Sequence, residues 1–323
     1  MASRFLRSTI SRLPPIARRD EQIARLKRTA AKRAADVARS YSKPSFRRLV
    51  YAERRLASHL RELDPSDRGQ VVTRKLTSYS FAASHGVDVP HVFAVWKQPE
   101  HIEWDDLPDE VVIKSNGGTA ALGVLPLRRA PGGWRVVTTS DTVEPSEIVD
   151  LLRVRAAARL VHGPYFAEEL LGRGVGDVLP NDVKIYAFYG EISHVLLRRV
   201  SVHGDSSATA FRVVFPDGAD AGPVIRGMTH DESIPVPPNL GAMCDAAARL
   251  SLGIPRAHVR VDMYDIDGRM VFGEFTPRPG NPMDYEPGLD EAIGHIWERA
   301  QARVLNDLLD GADLRLRYGE HRA

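Results

Sequence analysis

The chain has 323 residues, of which 27% are charged and 43% are hydrophobic, and its formal net charge is +2. This length suits a globular protein of two or three subdomains, and the composition excludes a largely disordered chain. The single cysteine, Cys244, excludes an internal disulfide and favours a reducing compartment. No apolar run is long enough to span a membrane, and the basic N-terminus lacks the apolar core of a secretory signal, so we expect a cytoplasmic protein.

The N-terminal part differs in charge from the rest. Residues 1–60 carry 16 lysines and arginines against 4 acidic residues, whereas the remainder carries 28 against 38. Apolar residues at helical spacing predict two helices here, so we expect residues 1–65 to form a basic helical extension. Packing of its apolar stripe on the main body is the favoured role. The alternative is that residues 1–60 make peripheral contact with the anionic inner face of the membrane. Nucleic acid is not an expected partner.

The next two segments predict α/β units. Residues 66–110 contain a helical pattern that ends at Gly86 and a strand from His91 to Trp96, and we expect them to form an N-terminal α/β subdomain. Residues 111–170 are expected to form a small second subdomain. Its first strand ends in Lys114, and a glycine-rich stretch follows: Ser115, Asn116, Gly117, Gly118 and Thr119.

A lysine beside a glycine-rich turn is suited to binding phosphate. It places a positive charge next to backbone N–H groups that an anion can approach closely. The stretch fits neither the Walker pattern nor the dinucleotide fingerprint, and a hairpin turn with an incidental lysine explains it equally well. The stretch alone therefore does not decide the function.

Residues 171–323 are expected to form a C-terminal subdomain organised around a β-hairpin. Two apolar runs, Val259 to Ile266 and Arg269 to Phe275, flank Asp267-Gly268, a dipeptide typical of tight hairpin turns. Strand periodicity lets four side chains share one face: Arg260, Asp262, Glu274 and Thr276. Two carboxylates on a half-buried sheet favour a cation between them, and magnesium holding nucleotide phosphates fits this role. A surface hairpin with solvated acids is the simpler alternative.

Taken in order, five segments resemble the ATP-grasp superfamily, and most closely the TupA-like ATP-grasp amidoligases associated with teichuronopeptide synthesis. They lie between Thr73 and Trp297 and read TRKLTSYSFAASHGVDVP, VVIKSNGGTAALG, YFAEELLG, LPNDVKIYAFYGE and VRVDMYDIDGRMVFGEFTPRPG. The resemblance implies an α/β (α+β) ATP-grasp fold with a nucleotide cleft between two α/β subdomains. It also implies ATP and Mg²⁺ as cofactors. The basic helices before residue 65 lie outside it.

The resemblance also implies roles for single residues. Lys75 and Lys114 look like the two lysines that clamp the phosphates, and Asp182 looks like a ribose partner. Lys184 is similar to a further phosphate or acylphosphate contact. The loop that closes over the phosphates corresponds to Ser115, Gly117, Gly118 and Thr119, and the linker that faces adenine corresponds to Glu168, Glu169 and Leu171.

The hairpin residues receive the remaining implied roles. Asp262 and Glu274 resemble the magnesium ligands, and Arg260 resembles the arginine that steadies the oxyanion. Arg278 is the best placed arginine for an acidic acceptor. Where many ATP-grasp ligases have asparagine as a third metal ligand, this chain has Thr276, whose neutral hydroxyl is a weaker ligand.

The implied activity is an ATP-dependent carboxylate–amine ligase that forms an amide through an acylphosphate. Its partners would be a small-molecule amine and a carboxylate, with a uronate-containing cell-surface glycan or peptide polymer as one setting. An ATP-grasp small-molecule kinase is an alternative, and a non-catalytic basic protein that binds membranes or nucleic acid is another. The residues do not identify either substrate or the oligomeric state.

Overall fold

A computed structural model describes residues 14–63, 72–118, 122–172, 182–200, 209–279, 284–313 and 315–321. The chain divides into two compact units, residues 1–45 and residues 46–323. The first unit contains helix α1, Pro14–Ser42, a single helix of 29 residues on which Ile23 and Leu26 are exposed. None of the helices in the described ranges has the length and apolarity that crossing a membrane requires.

The second unit contains two antiparallel sheets. The first sheet has six strands in the order β1-β6-β2-β3-β4-β5. Their bounds are β1 Val92–Trp96, β2 Glu110–Gly118, β3 Val124–Ala130, β4 Gly133–Val136, β5 Thr142–Val143 and β6 Val161–Glu168. Strand β1, from the segment expected to form a separate N-terminal subdomain, lies at the edge of this sheet and pairs with β6.

The second sheet has five strands in the order β11-β10-β7-β8-β9. Their bounds are β7 Asp182–Phe188, β8 Glu191–Val200, β9 Thr209–Val214, β10 Val259–Ile266 and β11 Arg269–Thr276. The helices of this unit are α2 Phe46–Leu63, α3 Lys75–Ser84, α4 Pro145–Ala157, α5 Leu240–Leu252 and α6 Pro287–Leu309, with short 3-10 turns at Pro99–His101 and Trp104–Asp106.

The two faces of the second sheet bury different sets of residues. Val183 and Ile185 of β7 point into a core that contains α5 and part of α3. Cys244 of α5 is buried there, and burial raises the pKa of its thiol to about 11, which suits a small buried hydrophobic residue rather than a nucleophile. Tyr186 and Phe188 lie on the opposite face, which α2 and α6 cover.

Helix α2 is a structural part of this second core. Phe46, its first residue, is fully buried and makes ring contacts with Tyr186, Phe188, His258, Tyr285 and Trp297 at centroid distances of 5.5–6.2 Å. Val50, one turn later, is also fully buried. Apolar side chains of this size each contribute about 1.5–3 kcal/mol when they are fully buried. Helix α2 therefore packs on the body of its own unit.

Two histidines in this core are expected to make the protein acid-sensitive. His194 and His258 are fully buried, and burial lowers the pKa of each to about 3 from an ordinary value of 6.5. Because the unfolded chain binds these protons more tightly, the stabilising contribution is complete above pH 6.5. It decreases as the pH falls toward 3, by up to about 1.4 kcal/mol per pH unit for each histidine. Urea denaturation between pH 7 and pH 4 measures this slope.

Single substitutions assign the slope to each histidine. His194→Gln and His258→Gln should each reduce the pH dependence of the free energy of unfolding by about one proton. His59→Gln is the control, because the His59 side chain is 72% exposed and should leave the slope unchanged. A free energy of unfolding that is flat over this pH range contradicts the expectation.

Candidate active site

The hairpin of β10 and β11 forms around the Asp267-Gly268 turn that the sequence predicts. Asp267 and Gly268 both have positive φ, +53° and +87°, as an Asp-Gly turn of two residues favours. Asp262 lies opposite Glu274, and Arg260 lies opposite Thr276. These four residues are therefore neighbours at the end of the hairpin away from the turn.

A β-bulge at Gly273 adjusts this register. Asp262 pairs with Glu274 while Met263 pairs with Phe272, so Gly273 has no partner of its own across the ladder. A Cβ atom at residue 273 would lie 2.9 Å from Cε2 of Tyr264 and 3.1 Å from the backbone oxygen of Asp262. Glycine is needed here because the Tyr264 ring packs against this backbone.

Asp262 is enclosed by cations. Its Oδ1 accepts from Arg260 Nε at 2.6 Å, and its Oδ2 accepts from Arg260 Nη2 at 2.7 Å and from Lys184 Nζ at 2.8 Å. Burial of this carboxyl opposes its ionisation, but the charges of Arg260 and Lys184 outweigh burial and lower its pKa to about 2. Asp262 is therefore a buried, ionised group at neutral pH.

The charges continue across the sheet as an alternating row. Asp182 Oδ2 lies 3.3 Å from Lys184 Nζ and 3.1 Å from Arg198 Nε. Arg260 extends the row in the other direction, since its Nη2 donates to Thr276 Oγ1 at 2.9 Å. Burial lowers the pKa of Lys184, but the charges of Asp262 and Asp182 raise it by more than burial lowers it. The pKa of Lys184 is therefore above its ordinary value, and the side chain stays charged.

The first sheet contributes a second buried ion pair. Lys114 Nζ lies 2.5 Å from Glu168 Oε1, and Glu168 is 2% exposed. Burial opposes the charge on Lys114, but Glu168 outweighs burial and raises the Lys114 pKa. Glu274 and Tyr264 of the second sheet are close enough to act on the same pKa. Groups from both sheets therefore meet at Lys114.

Lys75 joins this group as the first residue of α3. It is 9% exposed, and burial lowers its pKa, as does the charge of Lys114, while Glu274 and Glu168 oppose the shift. The start of α3 is tied to the first sheet because Leu76 N donates to Asn116 Oδ1 at 3.0 Å. Two ammonium groups from different elements thus lie close enough to Glu274 of the hairpin for its charge to act on their pKa values.

The glycine-rich stretch is largely a strand. Residues 115–118 belong to β2, where Gly117 pairs with His162 and Gly118 with Val161, so these residues are not the loop that the sequence predicts. Ser115 is buried and its hydroxyl donates to the backbone oxygen of Gly117 at 2.9 Å. Thr119 lies outside the described residues.

The residues assigned to the adenine linker are placed at the end of β6. Glu169 forms a bidentate ion pair with Arg269 at 2.9 Å and 3.2 Å, which joins the first sheet to the hairpin. Leu171 is 9% exposed. Arg278, two residues after Thr276, lies close enough to Glu53 of α2 to act on the pKa of that carboxyl.

The sequence interpretation gave no site role to Tyr79 or Tyr264, and it placed Asn116 only within the glycine-rich stretch. Tyr79 and Asn116 bond to predicted site residues or to the helix that carries them, and Tyr264 lies close enough to Lys114 and Glu274 for their charges to act on its pKa. Signals for two of them are present in retrospect. Tyr79 is one helical turn after Lys75, and Tyr264 is two strand positions after Asp262, so each shares a face with a predicted residue.

The donor set at the hairpin is compatible with magnesium. Asp262 and Glu274 supply hard oxygen ligands from paired positions, and Glu274 is exposed. Asp262 Oδ1 accepts one hydrogen bond and retains a lone pair for a cation, whereas Oδ2 already accepts two hydrogen bonds. Thr276 is a weaker candidate, because its hydroxyl accepts from Arg260. Within the described ranges no cluster of three or more histidine, cysteine, aspartate or glutamate residues is arranged to hold a metal.

Comparison with solved structures found many similar folds at low identity. D-alanine–D-alanine ligase from Bacillus anthracis is 16% identical, with a TM-score of 0.46, over 74% of this chain and 68% of that chain. The ATP-grasp ligase PsnB complexed with minimal precursor is 14% identical, with a TM-score of 0.40, over 73% of this chain and 62% of that chain, which is less than two thirds of its length. D-cycloserine synthetase DcsG is 16% identical, with a TM-score of 0.41, over 72% and 70%.

A search of curated proteins found no match. The model of the TupA-like ATP-grasp family matches residues 168–297. This range begins at Glu168, the partner of Lys114, and includes Lys184, Arg260, Asp262 and Glu274. The match confirms the resemblance seen in the sequence: residues 168–297 of this chain are similar to the TupA-like ATP-grasp family.

Proposed function

We propose that this chain is an ATP-dependent carboxylate–amine ligase that forms an amide through an acylphosphate. The observation that carries the proposal is the convergence of buried cations on an acidic pair. Lys184 of the second sheet contacts Asp262, while Lys75 of α3 and Lys114 of the first sheet lie close enough to Glu274 for its charge to act on them. Buried cations around such a centre are suited to the charge of a nucleotide triphosphate.

The proposed chemistry uses these groups for binding and charge stabilisation. A carboxylate oxygen of one substrate attacks the γ-phosphorus, ADP departs, and the amine then attacks the acyl carbon and releases phosphate. Lys75 and Lys114 would hold the phosphates from two sides, and Lys184 would stabilise the charge of the transferred group. Arg260 would stabilise the oxyanion at the attacked carbonyl. Magnesium held by Asp262 and Glu274 would neutralise charge on the leaving phosphates.

The acceptor is proposed to be acidic and to bind at the Arg278 end of β11. Arg278 follows Thr276 and therefore lies beyond the Arg260 end of the row of charges. A uronate or an amino acid of a cell-surface or peptide polymer would fit this site. We propose a cytoplasmic location, where ATP is available, with α1 as the segment for any contact with the inner membrane face.

Product analysis tests the reaction. Purified protein is incubated with Mg²⁺, ATP and a matrix of amino acids crossed with uronates, and ADP release is followed by mass spectrometry of the products. We expect ADP, free phosphate and an amide in at least one combination. A phosphorylated product without free phosphate identifies a kinase and rejects the ligase. Absence of Mg·ATP binding, with salt-dependent retention on anionic surfaces, identifies the non-catalytic alternative.

A further inference from the structure

Tyr79 connects the helix that carries Lys75 to the Lys114–Glu168 pair of the first sheet. Its hydroxyl donates to Glu168 Oε2 at 2.7 Å and accepts from Lys114 Nζ at 3.2 Å. Lys114 Nζ contacts the other carboxylate oxygen, Oε1, at 2.5 Å. The three groups form a closed ring in which each oxygen of Glu168 has its own donor.

This ring of polar groups is buried in apolar surroundings. Tyr79 is 4% exposed and Glu168 is 2% exposed. The Tyr79 ring packs edge-on against Phe166 and Phe272 at centroid distances of 6.2 Å and 6.1 Å. Burial, together with the Glu168 charge, raises the pKa of the Tyr79 phenol well above its ordinary range, so the hydroxyl keeps its proton and remains a donor. Loss of the Tyr79 hydroxyl would therefore leave Glu168 Oε2 buried without its hydrogen-bond donor, which is energetically costly.

We propose that Tyr79 is a positioning residue for the nucleotide, because its hydroxyl fixes Glu168 and thereby keeps Lys114 directed into the site. The inference rests on the proposed function, since it assigns the Lys114–Glu168 pair to nucleotide binding. Without the hydroxyl, Glu168 Oε2 is buried without its donor. The carboxylate is then no longer held in one orientation, and the position of Lys114 Nζ, which contacts it at 2.5 Å, changes with it.

Packing alone requires the Tyr79 ring but not the hydroxyl. Phenylalanine would preserve the contacts with Phe166 and Phe272 and the position of the ring near Lys114 Nζ, 5.9 Å from its centroid. Tyr79 is also one helical turn after Lys75. In this proposal the same helix therefore carries Lys75 and, through Tyr79, positions Lys114. Tyr79→Phe therefore isolates the hydrogen bonds.

Calorimetric titration with Mg·AMP-PNP tests the proposal in a double-mutant cycle. The proteins are the wild type, Tyr79→Phe, Glu168→Gln and the double variant, with thermal denaturation to confirm folding. We expect Tyr79→Phe to weaken binding about tenfold, as expected for a lost hydrogen bond to a charged group. In the Glu168→Gln background the same change should weaken binding less than about twofold, because Tyr79 acts through Glu168.

Tyr165→Phe is the matched control. Tyr165 is 3% exposed and lies on β6, the strand that carries Glu168. Its side chain is on the opposite face of that strand from Glu168, in the core of the first sheet. The dissociation constant of Tyr165→Phe for Mg·AMP-PNP should stay within about twofold of the wild-type value. The positioning role is overturned if Tyr79→Phe weakens Mg·AMP-PNP binding equally in both backgrounds, or if the single variant binds as the wild type does. Either result leaves the proposed function standing. A wild-type protein that does not bind Mg·AMP-PNP overturns the proposed function as well.

Discussion

Lys114→Ala is expected to lower ATP turnover by about 100- to 1000-fold, the range measured when one preorganised charge-stabilising group is removed from an active site. The loss should appear first in nucleotide binding, because the proposed role of Lys114, whose Nζ lies 2.5 Å from Glu168 Oε1, is to hold the phosphates. ADP release and Mg·AMP-PNP titration measure the two effects separately. Lys97→Ala, at an exposed lysine just after β1, is the control and should retain full activity.

Lys114→Ala is also expected to lower the free energy of unfolding by about 3–5 kcal/mol, since it leaves the buried Glu168 charge without its cation. This cost must be separated from the loss of binding. Adding Glu168→Gln to Lys114→Ala removes the unpaired charge and should restore most of the free energy of unfolding, but it should not restore nucleotide binding. Recovery of both in the double variant would show that Lys114 has only a structural role.

Asp262→Asn is expected to have the largest combined effect on turnover and stability. It removes the carboxylate shared by Arg260 and Lys184, whose side chains are only 12% and 10% exposed. Breaking a buried ion pair typically costs about 3–5 kcal/mol, and turnover should fall by about 1000-fold or more because a proposed metal ligand is lost. Chemical denaturation and ADP release measure these losses.

The stability difference between wild type and Asp262→Asn should depend on pH. The pKa of Asp262 is about 2 in the folded protein, below its ordinary value of 3.8. Its stabilising contribution is therefore complete above pH 3.8 and is lost as the pH falls through 2, so the two proteins should converge in that range. Asp267→Asn is the matched control, because asparagine also suits a positive-φ turn position five residues away. A variant that keeps wild-type turnover would remove Asp262 from the site.

The hairpin was predictable from sequence because its signals are local. Asp267-Gly268 fixes the turn, and alternation along the strands then places Asp262 near Glu274 without knowledge of the rest of the fold. The bulge at Gly273 was not predictable, since it depends on the Tyr264 ring lying over that backbone. The exact pairing of Asp262 with Glu274 therefore needed the structure.

The surroundings of the site depend on contacts between distant segments. Periodicity places Tyr79 on a helix, but only tertiary packing brings its hydroxyl to Glu168, 89 residues later. Propensity favours a turn at Ser115–Gly118, yet pairing with β6 extends β2 through these residues. The apolar stripe before residue 65 favoured packing on the main body, but periodicity alone did not show that Phe46 would be fully buried.

The position of Phe46 sets a practical limit on any shortened version of this protein. A fragment designed around the family match, or begun at residue 66, would lack α2 and would open a phenylalanine-sized hole among Tyr186, Phe188, His258 and Trp297. Water would reach the apolar face of the sheet next to Arg260, which pairs with Tyr186. Exposed aromatic surface of this kind promotes aggregation during expression. Recombinant work should keep the chain from Phe46 onward.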